Sequence, residues 1–393
     1  MISASYRYRV NAILILENET IEIKNESIVG VTIDSNYDTN NRPIVYITFN
    51  IQPRIYDKLV LNSETAYINL RIRKSSNGNS SINKDYIHDN FTYLIKSDPD
   101  YVQSLREQFR LKDKNDEDSY VFGTIALFRK DSLDKIKQIH NSVIKDSNMA
   151  SIIHKYTYDR KMVISSFQST KNIDYIVIPP MESLTELISF LNEFDALYDR
   201  KYRYFEDFDI TYLLDSSGRP VHSVDKYDTI IIDVLETTDE RTKIAGISID
   251  ENSNSYIINV DAQDTSMIID TAQNIEYDSI IGISSSGEIY KLPLHNSKGK
   301  TDKSLVRRIY NDNTRFIDNI KNEMDNISVV LQVNKSEVDG SIFTPNKEYL
   351  VNNYKAFKQY NGRVLLSFKK EVLIQQDGKF ISSVILGLRK IME

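Results

Sequence analysis

Alternation with period two constrains this chain more than any other feature. Tyr6, Tyr8, Val10, Ala12, Leu14 and Leu16 share one parity, while Arg7, Arg9, Asn11 and Glu17 share the other. Successive side chains of a strand point to opposite faces, so the run predicts a half-buried strand rather than a helix. A break at Asn18-Glu19 leads to "TIEIK", with Ile21 and Ile23 inward, then to "SIVGVTID", with Val29, Val31 and Ile33 inward, and then to "PIVYITFNI". Strands in such close succession form an antiparallel meander that curls into a barrel or sandwich. A short helical turn over Pro53 to Leu61 and two further strands, Ala66 to Arg73 and Tyr86 to Ile95, complete the unit around the polar loop "KSSNGNSSINKD".

The period changes in the middle. "DSLDKIKQIHNSVIKD" and "NMASIIHKY" space their apolar residues as short helices, between the strand "SYVFGTIALF" and the strands "KMVISSF" and "DYIVIPP". Ser183, with Glu186 three residues on, forms a capping box. Leu184, Leu187, Ile188, Leu191, Phe194 and Leu197 then make one apolar stripe at helical spacing. The segment "YRYFEDFDITYLL" returns to period two. Tyr202, Tyr204, Phe208, Ile210, Tyr212 and Leu214 oppose Arg203, Asp207, Asp209 and Thr211, before a "DSSG" turn. The spacing predicts one strand, with Phe208 and Tyr212 packed and Asp207 and Asp209 facing water, a lumen or a partner chain.

Strands dominate the last third: "DTIIIDVLE", "TKIAGISID", "NSYIINVDA" and "DSIIGISSSGEIYKLPL". A long helix is expected over residues 302–325, from Val306, Ile309, Tyr310, Phe316, Ile317, Ile320 and Met324. "RVLLSFKKEVLI" and "KFISSVILGLRK", joined by Gln376-Asp377-Gly378, read as a closing hairpin. The expected fold class is therefore mainly β with an α+β insert. It divides into a strand-rich unit at 1–97 to which later strands add, a mixed middle at 98–215, and a second strand-rich unit at 216–393 with inserted hairpins and the helix.

The residues exclude more chemistry than they offer. With no cysteine in 393 residues, disulfides, thiol nucleophiles and thiolate-held zinc are ruled out. Gly299-Lys300-Thr301 resembles the end of a phosphate-binding loop, but Leu294 stands where that motif needs glycine. "GISSSG", Gly282 to Gly287, has the wrong spacing for a nucleophile elbow and reads as a hairpin turn. Asp250, Asn252 and Asn254 fall at oxygen-ligand positions of a calcium loop, yet Ser255 replaces its bending glycine and Asp261 its bidentate glutamate; a hairpin loop fits better. "DKNDED" at Asp113 to Asp118 reads as a solvated acidic loop. His88, His140, His154, His222 and His295 lack metal-ligand spacing. Lys298, Lys300, Lys303, Arg307 and Arg308 form a basic cluster read as a solvated helix start, with a phosphate or partner contact as the sharper alternative. No catalytic, cofactor-binding or metal residue is assigned, and no enzyme activity is expected. A formal net charge of −7 disfavours stable nucleic-acid binding. No apolar run approaches the ~20 residues that span a bilayer.

The run "DYIVIPPMESLTELISFLNEFDALYDRKYRYFEDFDITYLLDSSG", Asp174 to Gly218, resembles the middle segment of tail hub proteins from contractile-tailed bacteriophages. "FTPNKEYLVNN", Phe343 to Asn353, and the following "YNGRVLLSFKKEVLIQQDGKFISSVILGLRK" are similar to the closing barrel of the same hubs. The resemblance rests on packing patterns rather than catalytic signatures. It implies two tail-tube-like antiparallel β-barrels joined by a mixed α/β region. Three chains would then ring six barrels, adapting a sixfold tail tube to a threefold central spike and forming part of the conduit for genome ejection. The implied partners are itself as a homotrimer, the tail tube or distal tube protein, the central spike protein and the tape-measure protein. Phage DNA would pass transiently through the lumen, with no stable membrane insertion. The implied place is the tail baseplate of the virion, after assembly in the host bacterial cytoplasm. The alternatives are a receptor- or carbohydrate-binding tail protein, the hub of a phage-derived contractile injection system, or a regulatory nucleic-acid binder. Sugar platforms favour tryptophan, which this chain lacks despite its 25 tyrosines, and its charge argues against a nucleic-acid binder.

Overall fold

The computed structural model describes residues 6–38, 42–62, 65–76, 84–95, 121–129, 140–148, 151–152, 154–155, 161–164, 173–181, 184–193, 202–208, 210–215, 226–235, 246–261, 268–270, 279–283, 289–293, 304–308, 327–333, 340–355, 358 and 361–390. The N-terminal elements are β1 (Tyr6–Ile15), β2 (Thr20–Ile23), β3 (Ile28–Asn36), β4 (Ile44–Ile51), α1 (Pro53–Leu61), β5 (Tyr67–Ser76), β6 (Lys84–Ile95) and β7 (Val121–Arg129). The middle holds β8 (His140–Ser147), β9 (Lys161–Ile164), β10 (Ile173–Met181), α2 (Leu184–Glu193), β11 (Tyr202–Asp207) and β12 (Ile210–Asp215). Then follow β13 (Thr229–Leu235), β14 (Gly246–Asp250), β15 (Ser255–Asp261), β16 (Ile268–Asp270), β17 (Ser279–Ile283) and β18 (Ile289–Pro293). The chain closes with β19 (Ser304–Arg308), β20 (Ile327–Val333), β21 (Glu348–Asn352), β22 (Gly362–Gln376) and β23 (Lys379–Lys390).

The first core lies inside a ring of strands. β1 pairs with β5, β5 with β6, β6 with β7, β7 with β4, β4 with β3, β3 with β22 and β22 with β23, all antiparallel. β23 then meets β1 where Phe380 faces Tyr8, so the pairings return to their start. Alternation fills the interior with Tyr8, Val10, Ala12 and Leu14 of β1 against Ile33, Ile47, Ile68 and Leu127, and α1 adds Tyr56 and Leu59. One register differs from the expected parity: β3 slips between Ile28 and Gly30. The bulge turns Ile28 and Val31 inward together, and Val29, expected inward, is only half-buried.

The C-terminal hairpin serves two cores. Its turn places Asp377 at φ 49° and Gly378 at φ 74°, the paired left-handed conformations that a two-residue hairpin turn requires. Near the turn, Leu373 and Phe380 join the first core; farther away, Val364, Leu366, Val384 and Leu386 join a second. That second core lies along the neighbour order β14-β15-β13-β21-β22-β23-β20-β16, again eight strands. β13 runs parallel to both its neighbours, β15 and β21, within this otherwise antiparallel path. A small sheet ordered β11-β12-β9 contributes Phe205, Tyr212, Leu214 and Val163 to the same core.

Three expectations change in the middle and last thirds. Residues 140–146, the second part of an expected helix, lie in β8, because pairing with β10 satisfies their backbone and alternation buries Ile144 while Val143 faces out. Ser304–Arg308, expected to begin a helix, forms β19 parallel to β17; residues 309–326 lie outside the described set. "YRYFEDFDITYLL" is a hairpin, not one strand: Asp207 pairs with Ile210, and Phe208, at φ 40°, turns the chain between them. By contrast α2 buries Leu187, Ile188 and Leu191 and packs on β10, as its stripe predicts. Ser183, Phe194 and Leu197 lie outside the described residues.

Candidate functional site

A buried set of ionisable groups lies where β22 passes from the second core into the first. The β22–β23 ladder slips between Leu366 and Phe368. Gly387 sits opposite Phe368, and a Cβ at 387 would stand 2.0 Å from the ring, so the missing side chain lets the ring close over β23. Just past the slip Lys369 is buried, its Nζ 2.9 Å from Glu371 Oε1 and donating to the Gly340 carbonyl at 3.4 Å. Gly340 is matched to this contact, since a Cβ there would lie 2.7 Å from the Glu371 carboxylate. Burial alone would lower the Lys369 pKa, but the charges of Glu371 and Asp207 outweigh it and hold the pKa raised. The amine therefore stays cationic at neutral pH.

Tyrosines surround this cation. Burial first, and the Asp207 charge second, push the Tyr212 pKa up. Burial likewise holds Tyr37 and Tyr349 well above the ordinary tyrosine value. The Tyr349 hydroxyl donates to the Thr344 carbonyl at 2.9 Å, and the Tyr37 ring meets Phe205 edge-on at 4.5 Å between centroids. Beside them Arg203 of β11 reaches Asp38 Oδ1 at 3.0 Å and the Leu366 carbonyl at 3.4 Å, while Arg389 approaches the same carboxylate at 3.9 Å. Burial raises the Asp38 pKa, yet the two guanidinium groups outweigh it and leave the pKa lowered. The Tyr37 N–H donates to the Ser367 carbonyl at 2.8 Å. One place thus ties the end of β3, the slip in β22, β11 and β23 together.

Lys369, the three tyrosines and Asp38 hold no proton poised for transfer near neutrality: neighbouring charge keeps the lysine cationic, burial keeps the tyrosines neutral, and the guanidinium groups keep Asp38 ionised. What the arrangement supplies is a fixed register between two cores. The Lys369–Glu371 and Arg203–Asp38 pairs both lie within the seam, so moving one core against the other would part a buried cation from its carboxylate.

Arg203 and Asp207, expected on a solvated face, lie at this seam. Thr211, expected on the same face, is buried, as is Glu206, which accepts a hydrogen bond from the Tyr204 hydroxyl. The one-sided expectation fails because the hairpin is packed on both sides, meeting the first core through Phe208 and the second through Tyr212. Asp209 lies outside the described residues. The Asp250 turn joins β14 to β15 antiparallel, and its carboxylate is spent on that turn. Oδ2 accepts from the Ser253 hydroxyl at 2.7 Å and Oδ1 from the Asn252 N–H at 3.0 Å, which lowers its pKa. His88 lies on β6, His140 on β8, and His154 is exposed. Arg307 and Arg308 end β19. Lys298, Lys300, Lys303, Gly299, Thr301, His222, His295 and Asp113 to Asp118 lie outside the described residues. Among the described residues no cluster of three or more His, Cys, Asp or Glu is placed to hold a metal ion, and no helix is long and apolar enough to cross a membrane. Lys369, Glu371, Tyr37 and Asp38 escaped the sequence reading; the available signal was the break in alternation at Ser367-Phe368, followed by three charges in an apolar strand.

No family model matches the sequence, and no curated protein is similar to it. In three dimensions the chain is similar to a tail protein from Neisseria meningitidis MC58, with a TM-score of 0.53 and 10% identity over 98% of this chain and 97% of that one. It is also similar to the 43 kDa tail protein of prophage MuSo2 from Shewanella oneidensis, with a TM-score of 0.51 and 9% identity over 96% and 98%. A weaker likeness, TM-score 0.48 and 12% identity, links 98% of this chain to 53% of a chain in the Francisella PdpA-VgrG complex. The chain has a fold of the phage tail protein type, mainly β with an α+β insert.

Proposed function

We propose that this chain is a non-enzymatic structural hub of a contractile-tail baseplate. The observation that carries the reading is the likeness to two tail proteins, one of them from a prophage, along nearly the whole length of both partners. The two eight-strand arrangements within one chain support the rest. Three copies would present six such units around an axis, a number that meets a sixfold tail tube on one side and a threefold central spike on the other. The seam has a use in this role, because a ring built from two units per chain needs those units in fixed relation. Tail tube or distal tube protein, spike protein and tape-measure protein are the partners of such a ring. DNA passes through it without stable binding, consistent with the net charge of −7.

Deleting the coding sequence from the genome that carries it, and imaging the lysate, tests the reading. The expected result is the loss of complete tails, restored by the gene in trans. Normal tails in the deletion strain would refute the role.

A further inference from the structure

The turn between β21 and β22 makes two separate demands on neighbouring residues. At position 361 it needs a carboxamide. Asn361 Oδ1 accepts from the Tyr354 N–H at 2.9 Å, and Asn361 Nδ2 donates to the Tyr354 carbonyl at 3.1 Å, so one side chain meets both polar groups of a single backbone residue. A carboxylate could still accept from the N–H, but it has no donor for the carbonyl and would set an oxygen against it. The Asn361 N–H also donates to the Lys358 carbonyl at 3.1 Å. These bonds clasp the base of the loop beside Val351 and Gly362, a cross-strand pair of the β21–β22 ladder. The clasp bears on packing, because Tyr354 on one side of it and Val364 on the other are both buried in the second core.

At position 362 the turn needs glycine. Gly362 has φ 113°, a conformation that residues with a side chain rarely adopt. Together the two demands write Asn-Gly, a pair found elsewhere in the chain only at Asn77-Gly78. That pair is chemically labile, because a glycine nitrogen, free of side-chain crowding, reaches the carboxamide carbon of the residue before it.

We infer that Asn361-Gly362 is a deamidation site held in check by the clasp. In the reaction the Gly362 nitrogen loses its proton and bonds to Asn361 Cγ, the Cγ–Nδ2 bond breaks, and the old amide leaves as ammonia with the proton restored to it. Water then opens the cyclic imide to aspartate or isoaspartate. The net change is gain of a water and loss of an ammonia, with nothing oxidised or reduced. Attack requires the carboxamide to rotate and present its carbon to Gly362, and the two bonds to Tyr354 oppose that rotation, so the reaction waits for the turn to open. Once formed, the carboxylate cannot donate to the Tyr354 carbonyl, and isoaspartate also lengthens the backbone at the start of β22. The opening is thereby made permanent, and the end of the second core loosens. The inference stands independently of the hub reading.

The full-length chain, held in mildly alkaline buffer and then digested, reports the amide-to-acid change at Asn361 by peptide mass. Two hydrogen bonds of ordinary strength should slow the folded protein about tenfold or more relative to the chain unfolded in guanidinium chloride. In the unfolded chain Asn77-Gly78 supplies the same dipeptide as a reference and should convert at a similar rate. Because the gate is the turn and not the whole fold, the rate at Asn361 should already rise at denaturant concentrations below the global midpoint. The variant N361D, which carries the product carboxylate, should unfold at a lower midpoint than the wild type. Equal rates in folded and unfolded chains, a rate that stays flat until the global transition, an Asn361 that does not convert even when unfolded, or an N361D midpoint equal to the wild type would each overturn the inference.

Discussion

Replacing Gly387 by alanine tests the seam at its tightest point. The new Cβ would lie 2.0, 2.2 and 2.6 Å from three atoms of the Phe368 ring. Carbon atoms pack at about 3.5–4.0 Å, so the ring must move by about 1.5 Å. Moving it costs about 1–3 kcal/mol of overpacking. It also pulls the ring from Lys370, whose Nζ lies 5.8 Å from the ring centroid, a cation–π contact worth about 0.5–1 kcal/mol. The expected loss is therefore about 2–3 kcal/mol. In an F368A background the same Cβ no longer meets the ring, and alanine is favoured over glycine in a strand by about 0.5–1 kcal/mol, so G387A there should be neutral or slightly stabilising. Urea midpoints followed by far-UV circular dichroism, suited to a chain without tryptophan, give the four corners of the cycle. A coupling of about 2 kcal/mol is expected. An equal cost of G387A in both backgrounds would refute the claim that the glycine exists to admit the ring.

Leu191→Asp on α2 puts an unpaired carboxylate where the side chain is 0% exposed, and should cost several kcal/mol in thermal or urea melts; a variant melting with the parent would mean the helix is not packed on β10. Glu371→Gln leaves Lys369 buried beside a weaker partner and should destabilise by about 3 kcal/mol or more, whereas Asp207→Asn, whose charge acts on Lys369 less strongly than that of Glu371, should cost less. Asp38 has a lowered pKa, so its contribution is fully present above the ordinary carboxylate value of about 3.9 and is lost as pH falls through the folded value. Asp38→Asn should therefore flatten the acid limb of stability between pH 5 and pH 2, read as urea midpoints against pH, and an unchanged limb would remove the ion pair from the account.

The strands were legible wherever one face meets a core and the other meets water. Tyr8 to Leu16 and Ile44 to Ile51 announce themselves by parity, because burial on one side imposes alternation, and the closing hairpin by its Gln376-Asp377-Gly378 turn. The sequence misled where both faces are covered. β11 and β12 bury Tyr212 and Leu214, but Thr211 and Leu213 as well, and a strand between two layers keeps no polar side to read. β8 and β19 misled for another reason: their spacing suits a helix, and only partners far along the chain, β10 and β17, settle them as strands. The seam was hidden because its members, Asp38, Arg203, Lys369 and Arg389, are remote in sequence and meet only through a register slip at Leu366. Nor does parity show that the last two strands complete the first ring. That follows from the pairing of Phe380 with Tyr8 and of β22 with β3.

The most direct test of the hub account is the mass and symmetry of the assembled protein. Native mass measurement of the full chain, alone or with the proposed tube and spike proteins, should give a species at three times the 45.5 kDa chain mass, and averaged electron images should show a ring with a central hole and six peripheral densities. A compact particle of one chain mass that persists in the presence of those partners would contradict it.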